Sequence, residues 1–192
     1  MNYKNITFSL CLNVILLGYS QKNGDFEKLD INVEKSNIHW IGQYLFYFGG
    51  HDGNISFKDG YFIKSNEVIS GGEFVIDMNS MTNLDIDDPD GKESLIEHLM
   101  DPDFFGVANN PTAKLVIKSV EYQDANSMKF YADLTIKGIT NPIAFNATAN
   151  YEKETLEARF KIDRMLWDVS YNSKLRDGAI SDAIGFEVLI SL

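Results

Sequence analysis

Thiols, prolines and clustered positive charge are all scarce in this chain of 192 residues. Cys11 is the only cysteine, so a single chain can form no internal disulfide and no cysteine-based zinc or iron–sulfur centre. Four prolines and an apolar share of 44% exclude a long disordered or low-complexity body and leave enough apolar side chains for a sizeable core. Acidic residues outnumber basic ones 28 to 17, a net charge of −11. That balance, with no Lys/Arg cluster, opposes nucleic-acid binding, which draws its affinity from neutralised phosphates. It opposes anionic membrane surfaces for the same reason.

Reaction signatures are missing too. There is no H-E-x-x-H, G-x-S-x-G or glycine-rich phosphate loop, and His39, His51 and His98 lie far apart in the chain. No catalytic residue, metal-ligand set or cofactor is therefore predicted, and the chain is not expected to be an enzyme. Placing Gly91 at the sixth position of a calcium loop puts Asp88, Asp90 and Glu97 at ligand positions. The first position then falls on Ile86, which has no side-chain oxygen, so the match fails.

No apolar run is long enough to cross a bilayer. The longest, Ile6 to Leu17, is interrupted by Thr7, Ser9 and Asn13, whereas a spanning helix takes about 20 apolar residues. Lys4 before the run, and small Gly18 and Ser20 after it, fit a secretory signal cleaved after Ser20. Residues 1–20 are thus expected to be a signal peptide and 21–192 a single periplasmic or secreted domain without stable membrane insertion. Tyr19 stands where a lipoprotein would need cysteine.

What the chain has in abundance is alternation. Met128, Phe130, Ala132, Leu134 and Ile136 share one face, with Lys129, Tyr131, Asp133, Thr135 and Lys137 on the other, the period of a half-buried strand. Leu156, Ala158, Phe160 and Ile162 repeat the pattern, as do Phe74, Ile76 and Met78. Leu115/Ile117, Ile143/Phe145/Ala147 and Ile184/Phe186/Val188/Ile190 follow it less strictly. Asp59-Gly60 reads as a two-residue hairpin turn, and Asp52-Gly53, Ser65-Asn66 and Gly138 to Pro142 as further turns. About eight to ten strands with one apolar face must close on themselves or pack on a second sheet. An all-β antiparallel barrel is the expected architecture, interrupted by one short helix over residues 91–100, capped by Asp90 and ended by Pro102.

Four blocks carry a family resemblance: Asp101-Pro102-Asp103-Phe104-Phe105 after the helix, Asn110-Pro111-Thr112-Ala113, Ala132 to Ile143, and Ala179-Ile180-Ser181-Asp182 before the last strand. In this order they resemble the YceI-like, polyisoprenoid-binding family over roughly residues 30–192. The resemblance implies a lipocalin-like barrel of about eight strands with a helical insertion. It also implies an export route and a long apolar cavity holding an isoprenoid chain, such as that of a quinone. It supplies no catalytic motif.

The inward residues then decide function, because an eight-stranded barrel is just wide enough to be filled by its own side chains or to hold one small ligand. The candidate lining is Phe74, Ile76, Met78, Leu115, Ile117, Phe130, Leu134, Ile136, Phe145, Phe160, Ile162 and Phe186, with small Ala132, Ala147 and Ala158 leaving room beside the rings. Phe104 and Phe105 suit either a lid or a pin for the helix. Trp167 and Arg164 suit either a gate at one mouth or a buried plug with Arg164 paired to an acid. Trp40, His51, Tyr171 and Asn172 are the candidate donors for a ligand's polar end. The favoured reading is an exported protein enclosing an apolar, lipid-like small molecule, an isoprenoid or isoprenoid quinone. The alternative is a solidly packed structural or stress-related interaction module with no lipid ligand.

Overall fold

The computed structural model describes residues 26–171 and 179–192; the expected signal peptide, Asn172 and Ser173 lie outside them. The described elements are β1 (Phe26–Asp30), β2 (Asn37–Gln43), β3 (Gly50–Ser65), β4 (Val68–Asp77), α1 (Pro89–Met100), β5 (Thr112–Tyr122), β6 (Ser127–Ile136), β7 (Ile139–Asn150), β8 (Thr155–Asp163) and β9 (Ala183–Ser191). Short 3-10 turns, Met78–Ser80 and Arg164–Trp167, follow β4 and β8. The strands pair antiparallel in the order β1-β3-β2-β9-β8-β7-β6-β5-β4, and β4 returns to pair with β3. Strands β2 to β9 therefore close an eight-stranded barrel, and β1 flanks it along the far half of β3. This is the antiparallel barrel with a helical insertion that the alternation predicts.

The strict alternation of β6 translates directly into burial. Met128, Phe130, Ala132, Leu134 and Ile136 are all buried, with more exposed residues between them. β3 departs from expectation. Asp59-Gly60 does not turn; the strand runs unbroken for 16 residues, and its register against β4 shifts between Phe57 and Asp59. Lys58 and Asp59 both face outward there, so the inward series changes phase from Ile55 and Phe57 to Gly60 and Phe62, as a bulge requires.

Asp52-Gly53 lies within the same strand and does not turn either, and the glycines of both dipeptides serve close approach instead. A Cβ on Gly60 would lie 2.6 Å from the Phe74 ring, and one on Gly53 would lie 1.8 Å from the Thr82 carbonyl oxygen. That same carbonyl accepts the Trp40 indole N–H at 3.1 Å. The chain reverses at Asn66-Glu67 and at Lys137-Gly138, where both central residues have positive φ, the conformation of tight hairpins. The second reversal is shorter than expected, and Ile139 to Pro142 already belong to β7.

The helix also begins two residues earlier than its spacing suggests. Asp88, not Asp90, is the N-cap, its carboxylate accepting from the Gly91 amide at 2.9 Å. Pro89 then takes the first helical position, where its missing N–H has no intrahelical partner to lose and its fixed φ suits the turn. Leu95 and Leu99 of helix α1, with Phe104 and Phe105 just after it, face the barrel cavity.

Gly53→Ala is expected to lower unfolding stability by about 2 kcal/mol or more, the scale of an unrelieved steric clash. Gly71→Ala, whose Cβ would lie 3.4 Å from its nearest neighbour, is expected to cost far less. Urea denaturation of the two variants checks the difference.

Candidate functional site

The barrel encloses a cavity of about 190 Å³. Fourteen residues expected at its wall are there: Trp40, Phe74, Ile76, Met78, Phe104, Phe105, Leu115, Ile117, Phe130, Leu134, Ile136, Phe145, Phe160 and Phe186. Two are buried elsewhere. Ile162 belongs to the core at the far end of β8 without reaching the cavity. Trp167 is fully buried, and its indole N–H donates to the Leu134 carbonyl at 3.0 Å, so it plugs the barrel wall and gates nothing.

Phenylalanine rings make up one continuous wall. Phe57 and Phe62 both pack on Phe74, with centroids 6.0 and 5.0 Å away. Phe62 then stacks on Phe130, Phe130 meets Phe145, Phe145 stacks on Phe160 at 4.5 Å, and Phe160 reaches Phe186. Strand register builds this ladder, since Phe130 lies opposite Phe145 and Phe160 opposite Phe186. Ring pairs at these distances hold one another in place. Small Ala113 and Ala158 on the same lining leave the space the rings do not fill.

Phe57 and Phe62 escape the sequence reading because the Asp59-Gly60 hairpin signal cuts their strand in two. Ile38 and Leu99 also line the cavity. Ile38 alternates with Asn37 and His39, and Leu99 follows Leu95 at helical spacing, so both carried a readable signal. A cavity of about 150 Å³ already admits a benzene-sized guest, whereas drug-sized pockets start at about 300 Å³. The space therefore lies between these two sizes, and a bulkier guest needs the rings to turn.

Polar side chains gather at one rim: Gln43, Tyr44, His51, Arg164, Tyr171 and Ser181. The sequence makes them neighbours because β2 ends, β3 begins, β8 ends and β9 begins at this same end. Arg164 is 1% exposed and its guanidinium donates to the carbonyls of Ser181 and Val169 at 3.1 and 2.6 Å and to Asp182 at 3.2 Å. It ties three chain segments together, in keeping with the plug-and-pair expectation. Phe104 packs on both Phe105 and Tyr171, while Tyr171 stacks on His98.

Tyr44, His51 and Asp85 form a relay across the rim. The tyrosine oxygen lies 2.6 Å from His51 Nε2, and His51 Nδ1 lies 2.8 Å from Asp85. Burial alone would raise the Asp85 pKa, but donors on the Asp52 amide, His51 and Asn83 together hold it below the ordinary carboxyl value. An ionised Asp85 only accepts, so His51 donates to it from Nδ1, and in the neutral imidazole Nε2 is then the acceptor for the Tyr44 hydroxyl. Burial and the Asp85 charge both raise the Tyr44 pKa, keeping that hydroxyl protonated. Asp85 is thus engaged in the protein. Among the described residues no group of three or more His, Cys, Asp or Glu is placed to hold a metal. His39 pairs with Asp52 at 2.7 Å.

A family model described as the YceI-like domain matches residues 18–192. The chain belongs to the YceI-like family. Relatives include a UPF0312 protein of Pseudomonas putida, 26% identical over 144 residues, which cover 75% of this chain and 72% of the relative. Among solved structures, Burkholderia cenocepacia BcnA superposes with a TM-score of 0.70 at 16% identity, covering 84% of this chain and 98% of that one. A Saccharophagus degradans structure gives 0.58 at 14% identity, covering 86% and 97%. It is described as a polyisoprenoid binding domain implicated in plant cell wall breakdown. These likenesses establish the barrel as the YceI-like fold.

The Asp85 relay has a pH signature. A carboxyl whose folded pKa is depressed adds stability that is present above its unfolded pKa and is lost as pH falls through the folded value. The protein is therefore expected to lose stability on acidification below about pH 4, and Asp85→Asn to flatten that acid limb while lowering stability at neutral pH. Thermal melts from pH 7 to pH 3 measure both.

Proposed function

We propose that this YceI-like protein binds an isoprenoid-type chain, that of an isoprenoid quinone included, by enclosing it in the barrel cavity. The observation that carries the reading is the lining: phenylalanine and aliphatic side chains throughout, with polar groups confined to one rim. Such a wall offers a guest removal from water and little else, worth about 25 cal/mol per Å² of apolar surface buried. A prenyl chain has much apolar surface and needs no charged anchor. Its polar end, if it has one, belongs at the rim, where Tyr44, His51 and Tyr171 carry the hydrogen-bonding groups. The Saccharophagus relative, described as polyisoprenoid binding, supports the same ligand class. The reading is one of binding without catalysis, and the leader-like residues 1–20 support export as the setting. A solidly packed interaction module is the weaker alternative, since it gives the cavity no purpose.

Native mass spectrometry of the protein purified from its own host, before and after solvent extraction, is expected to show one apolar molecule per barrel. Ala158→Phe, which places a six-carbon ring into the space beside Phe160, is expected to reduce that occupancy at least tenfold while the melt remains cooperative. Full occupancy in the folded variant, or no bound chain in the unextracted parent, would overturn the reading.

A further inference from the structure

The link between β2 and β3 is unlike an ordinary hairpin tip. Such tips favour Gly, Asn, Asp, Ser and Pro, yet here four large side chains, Leu45, Phe46, Tyr47 and Phe48, stand in sequence, and all four are more than half exposed. Phe48 is fully exposed. A run of this kind on a surface is an aggregation liability unless something covers it. The tip is nonetheless firmly based. The Tyr44 amide donates to the Gly49 carbonyl at 3.1 Å, the Leu45 amide donates to Ala179 at 3.0 Å, and Gly49 takes a positive φ that returns the chain to β3.

Position decides what covers it. The residues on either side of the tip, Gln43 and Tyr44 before it and Gly50 and His51 after it, line the cavity, so the apolar knob is continuous with the rim. Residues 44–50 carry no charge, and Phe and Tyr are side chains that settle at the boundary between lipid headgroups and acyl chains. A second copy would bring another net charge of −11 against the first, which like-charge repulsion opposes. An uncharged, zwitterionic bilayer imposes no such cost.

We propose that the Leu45–Phe48 tip docks the protein, reversibly and peripherally, on a zwitterionic lipid bilayer, setting the cavity rim against the membrane from which a chain ligand is collected or to which it is delivered. This rests on the chain-binding reading for its purpose, but its physical claim is separate. Asp85, Asp87 and Asp88 precede α1 at the same barrel end, so the contact is apolar and anionic lipid weakens it.

Flotation with phosphatidylcholine vesicles tests the docking, and uptake of farnesol delivered from solvent, read by native mass spectrometry, tests the cavity separately. The parent is expected to float with the vesicles. The double variant Phe46→Ser/Phe48→Ser is expected to partition at least tenfold more weakly while its melt and its farnesol uptake match the parent's. Adding phosphatidylserine is expected to weaken parent flotation, with salt restoring it. A parent that stays in solution, a variant that floats equally well, or stronger binding to anionic vesicles that salt abolishes would overturn the docking. So would concentration-dependent dimerisation lost in the variant without any flotation, since a second copy would then be the cover. Loss of farnesol uptake in both proteins alongside normal flotation would instead count against the cavity.

Discussion

Closure of the sheet is the constraint on which everything else depends, and one strand accomplishes it. β3 pairs with β2 along its first half and with β4 along its second, while β1 takes over the side that β2 has left. A strand shared in this way must be long, must change phase where its neighbours change, and must allow other chain to pass close over it. Its 16 residues, the bulge at Lys58-Asp59 and the bare backbone at Gly53 and Gly60 meet those three demands. Without the seam between β3 and β4, the inward rings would line an open trough and the apolar wall would face water.

Closure also explains why polarity is confined to one rim. Along each strand the inward positions are apolar, so hydrogen-bonding side chains converge where strands end and the chain turns. There Arg164 fastens the start of β9 to the 3-10 turn after β8, and the Asp85 carboxylate orders His51 and, through it, Tyr44. The ionisation of Asp85 fixes one proton of that relay, the one on His51 Nδ1, and for a neutral imidazole it leaves Nε2 to accept from Tyr44.

Much of this was legible in the chain, and the exceptions have physical reasons. β6 and β8 alternate without fault, and their inward faces emerge as read. The wall residues of β4, β5, β7 and β9 were visible for the same reason. Asp59-Gly60 misled because the same dipeptide suits a tight turn and a bulged strand crossed by a ring; local sequence does not distinguish the two, and the Phe74 ring that decides it comes 14 residues later. Phe57 and Phe62 were lost with that strand. Trp167 was expected among the ligand-contacting residues, but a buried ring at the wall and one in the cavity look alike until the Leu134 carbonyl claims its N–H. The rim relay was out of reach, because Tyr44, His51 and Asp85 meet only when the loop before α1 folds back over β3.

The closed ring has a further consequence. Open sheets leave rows of unpaired amides and carbonyls that template fibril growth. Among the described residues the outermost strand is β1, only five residues long, three of them charged: Glu27, Lys28 and Asp30. Self-templating therefore has little purchase along that outer strand.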